Sequence, residues 1–534
     1  MMADPTESDA GGAGPVRAAG SWAVLLACSA WVAWLHLGDL GRPFGLSEFN
    51  AGNYFGAFAK SYERFGFAAV RGLPLAGHQM PGPGDSAPYL NHPPGLAWLL
   101  ALATALGGSG EGVLRAALLP LHVLAGFATW LLAVTLGVPS LLAAGAALLL
   151  LATPALALHG ALSYEPLIVS FGALTLAATL RLRGRGSGGR RGWRCLQLCA
   201  MAGLVWSDVS FAYVAAALAI LVVRRDWRAS VRELLPPACA ALAALALLAL
   251  WMAFALRAPF LPPEQQGFDL DRILGGSVLQ RPEWRAVLAD SARRLWEGQG
   301  AALVAGLLCL PWFAWRQPRV ACALAAFGLG NLLAFPSHTA SHVFFWCYLT
   351  PLLVVAAAAT FARLPLRGGI ALLLVAVLSA DQARAQRRAD DTGFLAELAA
   401  AMDRATHGAP GAANPAARSI VFASFPGYRY YLVSPYTATH EPMVVPAHLE
   451  QLQDLARVRN RSLPEAQRTG LRYLWLRVRG DVARDFPGLR DDPALGQWLA
   501  PYPKRRVPTL EARFEIAGRG LGVEVFEAWE VDLL

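Results

Sequence analysis

The other features of the chain are arranged around residues 45–95, GLSEFNAGNYFGAFAKSYERFGFAAVRGLPLAGHQMPGPGDSAPYLNHPPG. This long polar stretch follows the first strongly apolar segment. Its charged and titratable side chains are interleaved with aromatic ones: Glu48, Lys60, Glu63, Arg64, Arg71, His78, Asp85 and His92. Pro93 and Pro94 fix φ and remove two backbone donors, so the chain turns there before a helix begins. A polar, aromatic loop of this length between apolar helices is too long for a simple connector. We therefore predict that it forms the floor of an active site facing the outer side of a membrane.

The composition places the chain in a membrane. Of its 534 residues, 55% are hydrophobic and 16% are charged, and the mean hydropathy is +0.40. A soluble globular domain has about a quarter charged residues. The seven cysteines lie in or beside apolar segments without a CxxC pair, so no disulfide framework or metal site is predicted. The sequence has no GxSxG, Walker A, GxGxxG or HExxH motif and no basic, aromatic face typical of nucleic-acid binding, so no cofactor and no nucleic-acid partner are predicted.

Apolar segments of about spanning length recur along the first 380 residues. They lie at 21–37, 115–136, 138–158, 163–180, 195–209, 210–223, 235–256, 301–315, 320–335, 343–362 and 368–380. The apolar piece at 95–106 is too short to span and is predicted to be a juxtamembrane or re-entrant helix. The pattern predicts a mainly α, polytopic membrane helix bundle with about eleven spans.

The arginines predict the orientation of this bundle. With the N-terminus inside, four successive loops on the cytoplasmic side contain Arg181, Arg183, Arg185, Arg190, Arg191, Arg194, Arg224, Arg225, Arg228, Arg232, Arg316, Arg319, Arg363 and Arg367. The short outer loops are almost free of Arg and Lys, which is the positive-inside pattern. The first outer loop (38–114), the Tyr164–Glu165 turn, the loop at 257–300, the loop at 336–342 and the C-terminus are thereby predicted to share the outer face.

Two further regions flank the bundle at 21–380. Residues 1–20 are polar and are predicted to form a disordered cytoplasmic N-terminus. Residues 381–534 carry nearly equal numbers of basic and acidic side chains. Their β-type runs are 419–424, 471–478 and 522–527, and their helical stretches include Phe394–Arg404 and Ala447–Val458. This composition predicts a small extracytoplasmic α/β domain.

Polar residues that the topology brings to the outer face form four clusters. They are Glu48 with Asn50, Asn53 and Tyr54; Tyr89 with Asn91 and His92; His159 with Tyr164 and Glu165; and His338 with His342. Ionisable groups at membrane depth are costly and are usually paired or functional. These clusters are therefore the candidate functional site.

Several of these residues have a structural alternative. Glu165 either acts in the site or pairs with an arginine or caps the helix that follows it, and Glu48 is either functional or simply solvated. His338 and His342 lie four positions apart and share a helical face, but two histidines without a third ligand are a weak indication of a metal. Asp208 lies near an outer helix end, where capping of the next span is as good an interpretation as a functional role.

The order of these features resembles a known family. Along residues 20–365 the chain has, in this order, a first span, an acidic and aromatic outer loop, HPPG at 92–95, a short helix, paired spans, YEP at 164–166, an Arg-rich inner loop, a further apolar pair with SD at 207–208 in its centre, and FFWCYLTP at 344–351. This order resembles the C-type glycosyltransferases of the dolichyl-phosphate-mannose protein mannosyltransferase type (glycosyltransferase family 39), which include the lipid A aminoarabinose transferase. The resemblance implies the C-type fold and a polyprenyl-phosphate sugar as donor.

The resemblance also implies residue roles. An outer-loop carboxylate is the general base of that family, which implies Glu48 as the base here and Glu165 as a second catalytic carboxylate. This chain reads SEFN where the family usually has Asp. Relatives use a basic residue before Pro-Pro to hold the donor phosphate. The predicted phosphate contacts are therefore His92, helped by Lys60, Arg64 and Arg71, and the predicted substrate contacts are Asn50, Tyr54, Tyr89, Asn91, Tyr164 and His342.

The chemistry is consistent with these assignments. Displacement of a phosphate from an anomeric carbon passes through an oxocarbenium-like transition state, which a carboxylate stabilises. The departing phosphate needs cationic donors. The sequence thus predicts a multi-pass protein of a bacterial inner membrane that transfers a sugar to an outer-face lipid, glycan or protein. The alternative is a non-catalytic or transport protein that binds or moves a lipid-linked glycan.

Overall fold

The computed structural model describes residues 14–42, 55–75, 88–90, 92–184, 189–223, 226–261, 266, 284–389, 418–423, 440–443, 471–478, 496–497, 499–506, 510–516 and 519–531. The helices of these ranges are α1 Gly14–His36, α2 Gly56–Phe65, α3 Gly95–Gly107, α4 Glu111–Thr135, α5 Ser140–Ala152, α6 Glu165–Arg183, α7 Arg190–Ser207, α8 Phe211–Val222, α9 Trp227–Ala255, α10 Trp284–Gln299, α11 Ala301–Arg316, α12 Pro318–Ala334, α13 Pro336–Ser341, α14 Thr350–Phe361 and α15 Pro365–Ala389. A 3-10 turn at Leu37–Asp39, a π-helical turn at Ala155–His159 and a 3-10 segment at Phe344–Tyr348 lie between them.

Several helices have the length and hydropathy of membrane spans. Six of the described helical segments meet both criteria: Gly20–Asp39, Glu111–Thr135, Glu165–Arg183, Trp227–Ala255, Phe344–Phe361 and Leu366–Arg388. The pair α10 and α11 is bent by 105° and gives a seventh span if it is counted as one. Helices α3, α5, α8 and α12 are apolar but shorter. The chain is an integral membrane protein. Each predicted apolar segment coincides with a helix, but the predicted number of eleven spans is not confirmed.

The structure has a short helix, α3, where the sequence predicts at residues 95–106 a helix too short to span the membrane. Helix α3 has 13 residues, too few to cross a bilayer of about 30 Å at 1.5 Å per residue. It begins directly after Pro94. The two prolines therefore start a short helix at one end of the bundle, as the sequence predicts.

Side-chain contacts show which helix ends lie together. At one end the contacting pairs are Arg183 with Glu233, Arg181 with Thr135, Gln317 with Leu136 and Arg363 with the ring of Trp312. At the other end they are His92 with Asp208, Arg71 with Phe254, Arg387 with Asp39 and Ala157, and Gln386 with Glu297. Arginines of two predicted cytoplasmic loops, and the other two loops through Glu233 and Gln317 beside them, thus share one end. That this end is cytoplasmic stays a prediction.

The centre of the bundle consists of helices that are apolar on every side. In α14, Leu353, Val354 and Val355 are at most 1% exposed, and Leu149, Leu150 and Leu151 of α5 are fully buried. Helix α9 is different, because Leu242, Leu250 and Phe254 are 59–67% exposed. A helix that is apolar on every side and buried lies inside the bundle. Apolar side chains that are exposed on the outer surface of a membrane bundle face lipid. Helix α9 is therefore at the periphery.

Small residues let the helices approach closely. A Cβ on Gly330 of α12 would lie 2.4 Å from the ring of Tyr213 on α8. Close contact at glycine is the usual way in which membrane helices gain packing energy without a hydrophobic driving force. This contact also positions the Tyr213 hydroxyl to donate to Asn331 Oδ1 at 3.1 Å.

The C-terminal region contributes a mixed sheet. Its strands are β1 Arg418–Ala423, β2 His440–Met443, β3 Leu471–Val478, β4 Lys504–Arg506, β5 Leu510–Ile516 and β6 Arg519–Val531. The order is β2-β1-β3-β6-β4, with β5 paired to β6. Strand β1 is parallel to β2 and β3, and β6 is antiparallel to β3, β4 and β5. The three predicted strands overlap β1, β3 and β6. The predicted helices Phe394–Arg404 and Ala447–Val458 lie outside the described residues, so the α/β nature of this domain stays a prediction.

Candidate active site

The HPPG turn is pressed against the end of another helix. Pro94 caps α3, and a Cβ on Gly95 would lie 2.3 Å from the carbonyl oxygen of Trp206, near the end of α7. A β-carbon would clash at that distance, so only glycine permits this contact. The approach brings His92, just before the prolines, beside Asp208, which follows α7.

His92 and Asp208 form a hydrogen-bonded pair. The Nδ1 atom of His92 lies 3.0 Å from Oδ1 of Asp208, and Ser210 donates its hydroxyl to Oδ2. The side chain of Asp208 is 4% exposed and that of His92 is 22% exposed. Burial raises the pKa of Asp208, but hydrogen bonds from His92 and Ser210 and the charge of His92 outweigh it, so this pKa lies below its usual value. Asp208 is therefore a buried carboxylate that the pair keeps ionised.

Two tyrosine rings stack on the imidazole of His92. Tyr164 stacks on His92 with ring centroids 4.6 Å apart and planes inclined by 25°. Tyr89 stacks on it at 5.9 Å and 26°. Phe55 packs edge-on against Tyr164, and Phe58 packs against Tyr89. These contacts fix the plane of the imidazole ring.

Glu165 is the second buried carboxylate at this end. It is the first residue of α6, directly before Pro166, and is 2% exposed. Proline at the start of a helix and an acidic group in its first turn are both favoured, which explains why YEP begins a helix here. Oxygen Oε2 of Glu165 is buried without a hydrogen-bond partner among the described residues, while the side chain interacts electrostatically with His92 and Asp208. An unpartnered buried carboxylate oxygen beside an imidazole indicates a place for a ligand.

An apolar cavity opens beside the imidazole. Its volume is about 210 Å³, and it is lined by His92, Tyr89 and Pro94 at one side and by Leu245, Leu248 and Trp251 of α9 at the other. Helix α9 is peripheral, so the cavity lies near the lipid-facing surface. The site thus combines a titratable ring, two carboxylates and an apolar space.

Arg71 joins the polar loop to the end of α9. It adopts a positive φ of 53°, donates to the carbonyl oxygen of Phe254 at 2.8 Å and lies 4.6 Å from the ring centroid of that residue. Its own carbonyl accepts a hydrogen bond from Trp251, which lines the cavity. Arg71, a predicted phosphate contact, therefore lies on the α9 side of the cavity, and its guanidinium contacts Phe254 of α9.

Only some of the predicted site residues lie together among the described residues. Tyr89, His92, Tyr164 and Glu165 do so. Lys60 is half-buried on α2, Arg64 lies 5.3 Å from the ring of Phe65, and His342 stacks on Phe344 at 5.0 Å. Glu48, Asn50, Tyr54 and Asn91 lie outside the described residues. The roles of all these residues stay predictions.

Asp208 is the residue that sequence analysis did not select. Its signal is an acidic side chain between two apolar segments, which is equally typical of a helix cap. In the structure, the carboxylate of Asp208 forms a hydrogen bond with the imidazole of His92, 116 positions away. In the part of the chain that the structure describes, no three His, Cys, Asp or Glu side chains are grouped as a metal site requires.

The comparisons with known proteins agree with this architecture. No protein-family model matches the sequence, and no curated protein is detectably similar to it. A structure of the Archaeoglobus fulgidus oligosaccharyltransferase in complex with Zn and sulfate is 15% identical, with a TM-score of 0.54 over 93% of this chain and 73% of that one. A structure of the archaeal oligosaccharyltransferase AglB from Archaeoglobus fulgidus, in complex with an inhibitory peptide and a dolichol-phosphate, is 12% identical, with a TM-score of 0.52 over 96% of this chain and 75% of that one.

ArnT from Cupriavidus metallidurans bound to undecaprenyl phosphate is similar over almost its whole length. It is 15% identical, with a TM-score of 0.53 over 97% of this chain and 98% of that one. At this identity the likeness concerns the fold. The protein has the fold of the C-type membrane glycosyltransferases, and the resemblance predicted from HPPG and YEP is confirmed at that level.

Proposed function

We propose that the protein is a membrane glycosyltransferase that moves a sugar from a polyprenyl-phosphate donor to an acceptor on the outer face of the membrane. The observation that carries the proposal is that His92 lines an apolar cavity and interacts with two buried carboxylates, Asp208 and Glu165. Two of the neighbours of the same fold are complexes with dolichol-phosphate and undecaprenyl phosphate. Lipid phosphates are therefore the class of ligand to consider first.

The cavity suits a lipid-linked donor. Its walls at Leu245, Leu248 and Trp251 are apolar, so isoprenoid methylenes bind there at a gain of about 0.8 kcal/mol each. His92 lies at the edge of this apolar space, where the phosphate of such a lipid would lie. A nearby cation compensates the phosphate charge, and Lys60, Arg64 and Arg71 are further candidates for that role.

Carboxylates suit the chemistry of sugar transfer. The acceptor hydroxyl oxygen attacks the anomeric carbon, the bond from that carbon to the phosphate oxygen breaks, and the lipid phosphate leaves with the electron pair. A carboxylate takes the hydroxyl proton and stabilises the oxocarbenium-like charge. We assign these tasks to Glu48 and Glu165, with Glu48 as the base.

The acceptor is a lipid, a glycan or a protein, and the sugar is a hexose or a pentose. We place the site on the outer side of a bacterial inner membrane, with the arginine-rich end in the cytoplasm, because positively charged loops are retained there. The same placement puts the sheet of residues 418–531 outside the membrane, where it is suited to select the acceptor.

The proposal is tested by comparing envelope glycans with and without the protein. Mass spectrometry should find a sugar that depends on the wild-type chain and is lost in Glu165→Gln and His92→Gln at equal expression. Asp290→Asn is the matched control, because Asp290 is 56% exposed on α10 and only its charge near Arg293 is removed. Asp290→Asn should behave as wild type.

Two results would contradict the proposal. An unchanged glycan profile after deletion would remove the evidence for transfer. A changed movement of lipid-linked glycan across the membrane with no transferred sugar would favour the transport alternative. Loss of the product in Asp290→Asn as well would show that the assay reports expression rather than the site.

A further inference from the structure

The buried carboxylate of Asp208 has a more specific task than capping a helix. Both of its oxygens accept hydrogen bonds, Oδ1 from Nδ1 of His92 at 3.0 Å and Oδ2 from the hydroxyl of Ser210. Asp208 adopts extended dihedral angles after α7, and no side-chain bond from it caps a helix there. The carboxylate is therefore directed at the imidazole, and its position is set by the chain that carries Ser210.

This geometry determines which edge of the ring is available. Because Nδ1–H is donated to Asp208, Nε2 is on the opposite edge of the imidazole. The rings of Tyr89 and Tyr164 stack on the imidazole. Among the described residues, the contacts of His92 involve Nδ1 and the faces of its ring, which leaves Nε2 for a ligand.

We propose that Asp208 is a positioning residue, which holds His92 so that the imidazolium donates Nε2–H to a phosphate oxygen of the lipid-linked donor. This inference rests on the proposed function, and it assigns a role to a residue that contacts no substrate itself. The carboxylate also supplies a negative charge close to Nδ1. That charge balances the imidazolium when the phosphate is absent.

A structural alternative exists, because the pair also joins the HPPG turn to the α7–α8 junction. Loss of such a link changes folding and leaves the chemistry of bound ligand unaffected in the protein that does fold. The positioning role makes a different prediction. It requires that the effect of Asp208 disappears when residue 92 is a cation whose donors need no fixed ring orientation.

Lysine provides that cation. Its ammonium has three donors on a flexible stem and no tautomers. We therefore compare wild type, Asp208→Asn, His92→Lys and the double variant His92→Lys with Asp208→Asn, each purified in nanodiscs. The probe is undecaprenyl phosphate, and its dissociation constant is measured on folded protein together with the thermal midpoint of each variant.

Asp208→Asn should weaken binding on the order of tenfold, since a charge-assisted hydrogen bond becomes a neutral one and the imidazolium loses its partner. His92→Lys should bind within a few-fold of wild type. Adding Asp208→Asn to it should cause no further loss beyond about twofold. In this cycle the two single changes are thus non-additive.

Two outcomes overturn the inference while leaving the proposed function intact. One is wild-type affinity in Asp208→Asn at any thermal midpoint. The other is a tenfold loss in the double variant relative to His92→Lys, which would show that Asp208 acts independently of the imidazole. If wild type itself does not bind undecaprenyl phosphate, the inference and the lipid-phosphate part of the proposed function both fail.

Discussion

Arg387 and Asp39 lie 348 positions apart and form an ion pair at 2.8 Å. The same guanidinium donates to the carbonyl oxygens of Leu35 and Ala157. One side chain at the end of α15 thus connects the end of α1, where the first polar loop begins, with the π-helical turn before Glu165. Helix α15 is therefore linked to both sequence regions that lead into the site.

Replacing Arg387 by Met should destabilise the protein by about 2–4 kcal/mol. The side chain is 11% exposed, and its removal leaves Asp39 paired with Arg42 alone and two carbonyl groups without this donor. The thermal midpoint in detergent or nanodiscs measures this loss. Arg388→Met is the matched control, because Arg388 is exposed at the neighbouring position. Equal midpoints for the two variants would show that the Arg387 contacts do not stabilise the bundle.

The helices of this fold were predictable because their signal is local. Runs such as 138–158 and 343–362 are apolar over the length of a span, and each contains a helix in the structure. The ends of the helices depend on local signals as well, as Pro94 before α3 and Pro166 in α6 show. Breaks inside the runs, such as the π-helical turn at Ala155–His159, depend on tertiary packing and were not predicted.

The site was predictable only in part. Glu165 was identified because an ionisable group between long apolar segments is rare, and His92 because the family resemblance implies a phosphate contact directly before Pro-Pro. The partner of His92 was not, since the contact with Asp208 spans 116 positions and depends on how closely α3 approaches α7. No local pattern distinguishes a carboxylate that caps a helix from one that turns away to meet a distant imidazole. The contacts of Arg387 also join residues that are far apart in the sequence, so no local pattern predicts them.

Gly95→Ala should separate α3 from α7. The added Cβ would lie 2.3 Å from the carbonyl oxygen of Trp206, which is backbone and does not move aside as a side chain does. We expect a cost of about 1–3 kcal/mol and weaker binding of undecaprenyl phosphate, because His92 moves with the turn. Thermal midpoints and binding isotherms measure the two effects.

Gly112→Ala is the control for this change. Its Cβ would meet the carbonyl oxygen of Leu40 at 3.5 Å, an ordinary contact, and alanine favours the α4 helix in which it lies. Its stability should match or exceed that of wild type. If Gly95→Ala behaves in the same way, close approach at the HPPG turn is not what positions His92.

Glu165→Gln should separate stability from function. The carboxylate is buried, and its Oε2 has no partner among the described residues, so its charge costs folding free energy. Removing the charge should leave the thermal midpoint unchanged or raise it, whereas sugar transfer should fall by about 10²–10⁴-fold. A lower midpoint with full transfer would contradict both parts and would favour the structural interpretation of Glu165.

Filling the apolar cavity should discriminate between long and short donors. Ala249 lines the cavity on α9, and Ala249→Phe places a ring in the 210 Å³ space that we assign to the isoprenoid chain. Each displaced methylene costs about 0.8 kcal/mol, so two or more lost from the pocket weaken undecaprenyl phosphate binding by about tenfold or more. A short-chain, water-soluble phosphate of the same headgroup should be nearly unaffected, because it contacts His92 without entering the cavity. Leu250→Phe is the control, since Leu250 is 67% exposed on the same helix. Equal losses for long and short chains would mean that the cavity holds something other than the lipid chain, and that the donor approaches His92 from another direction.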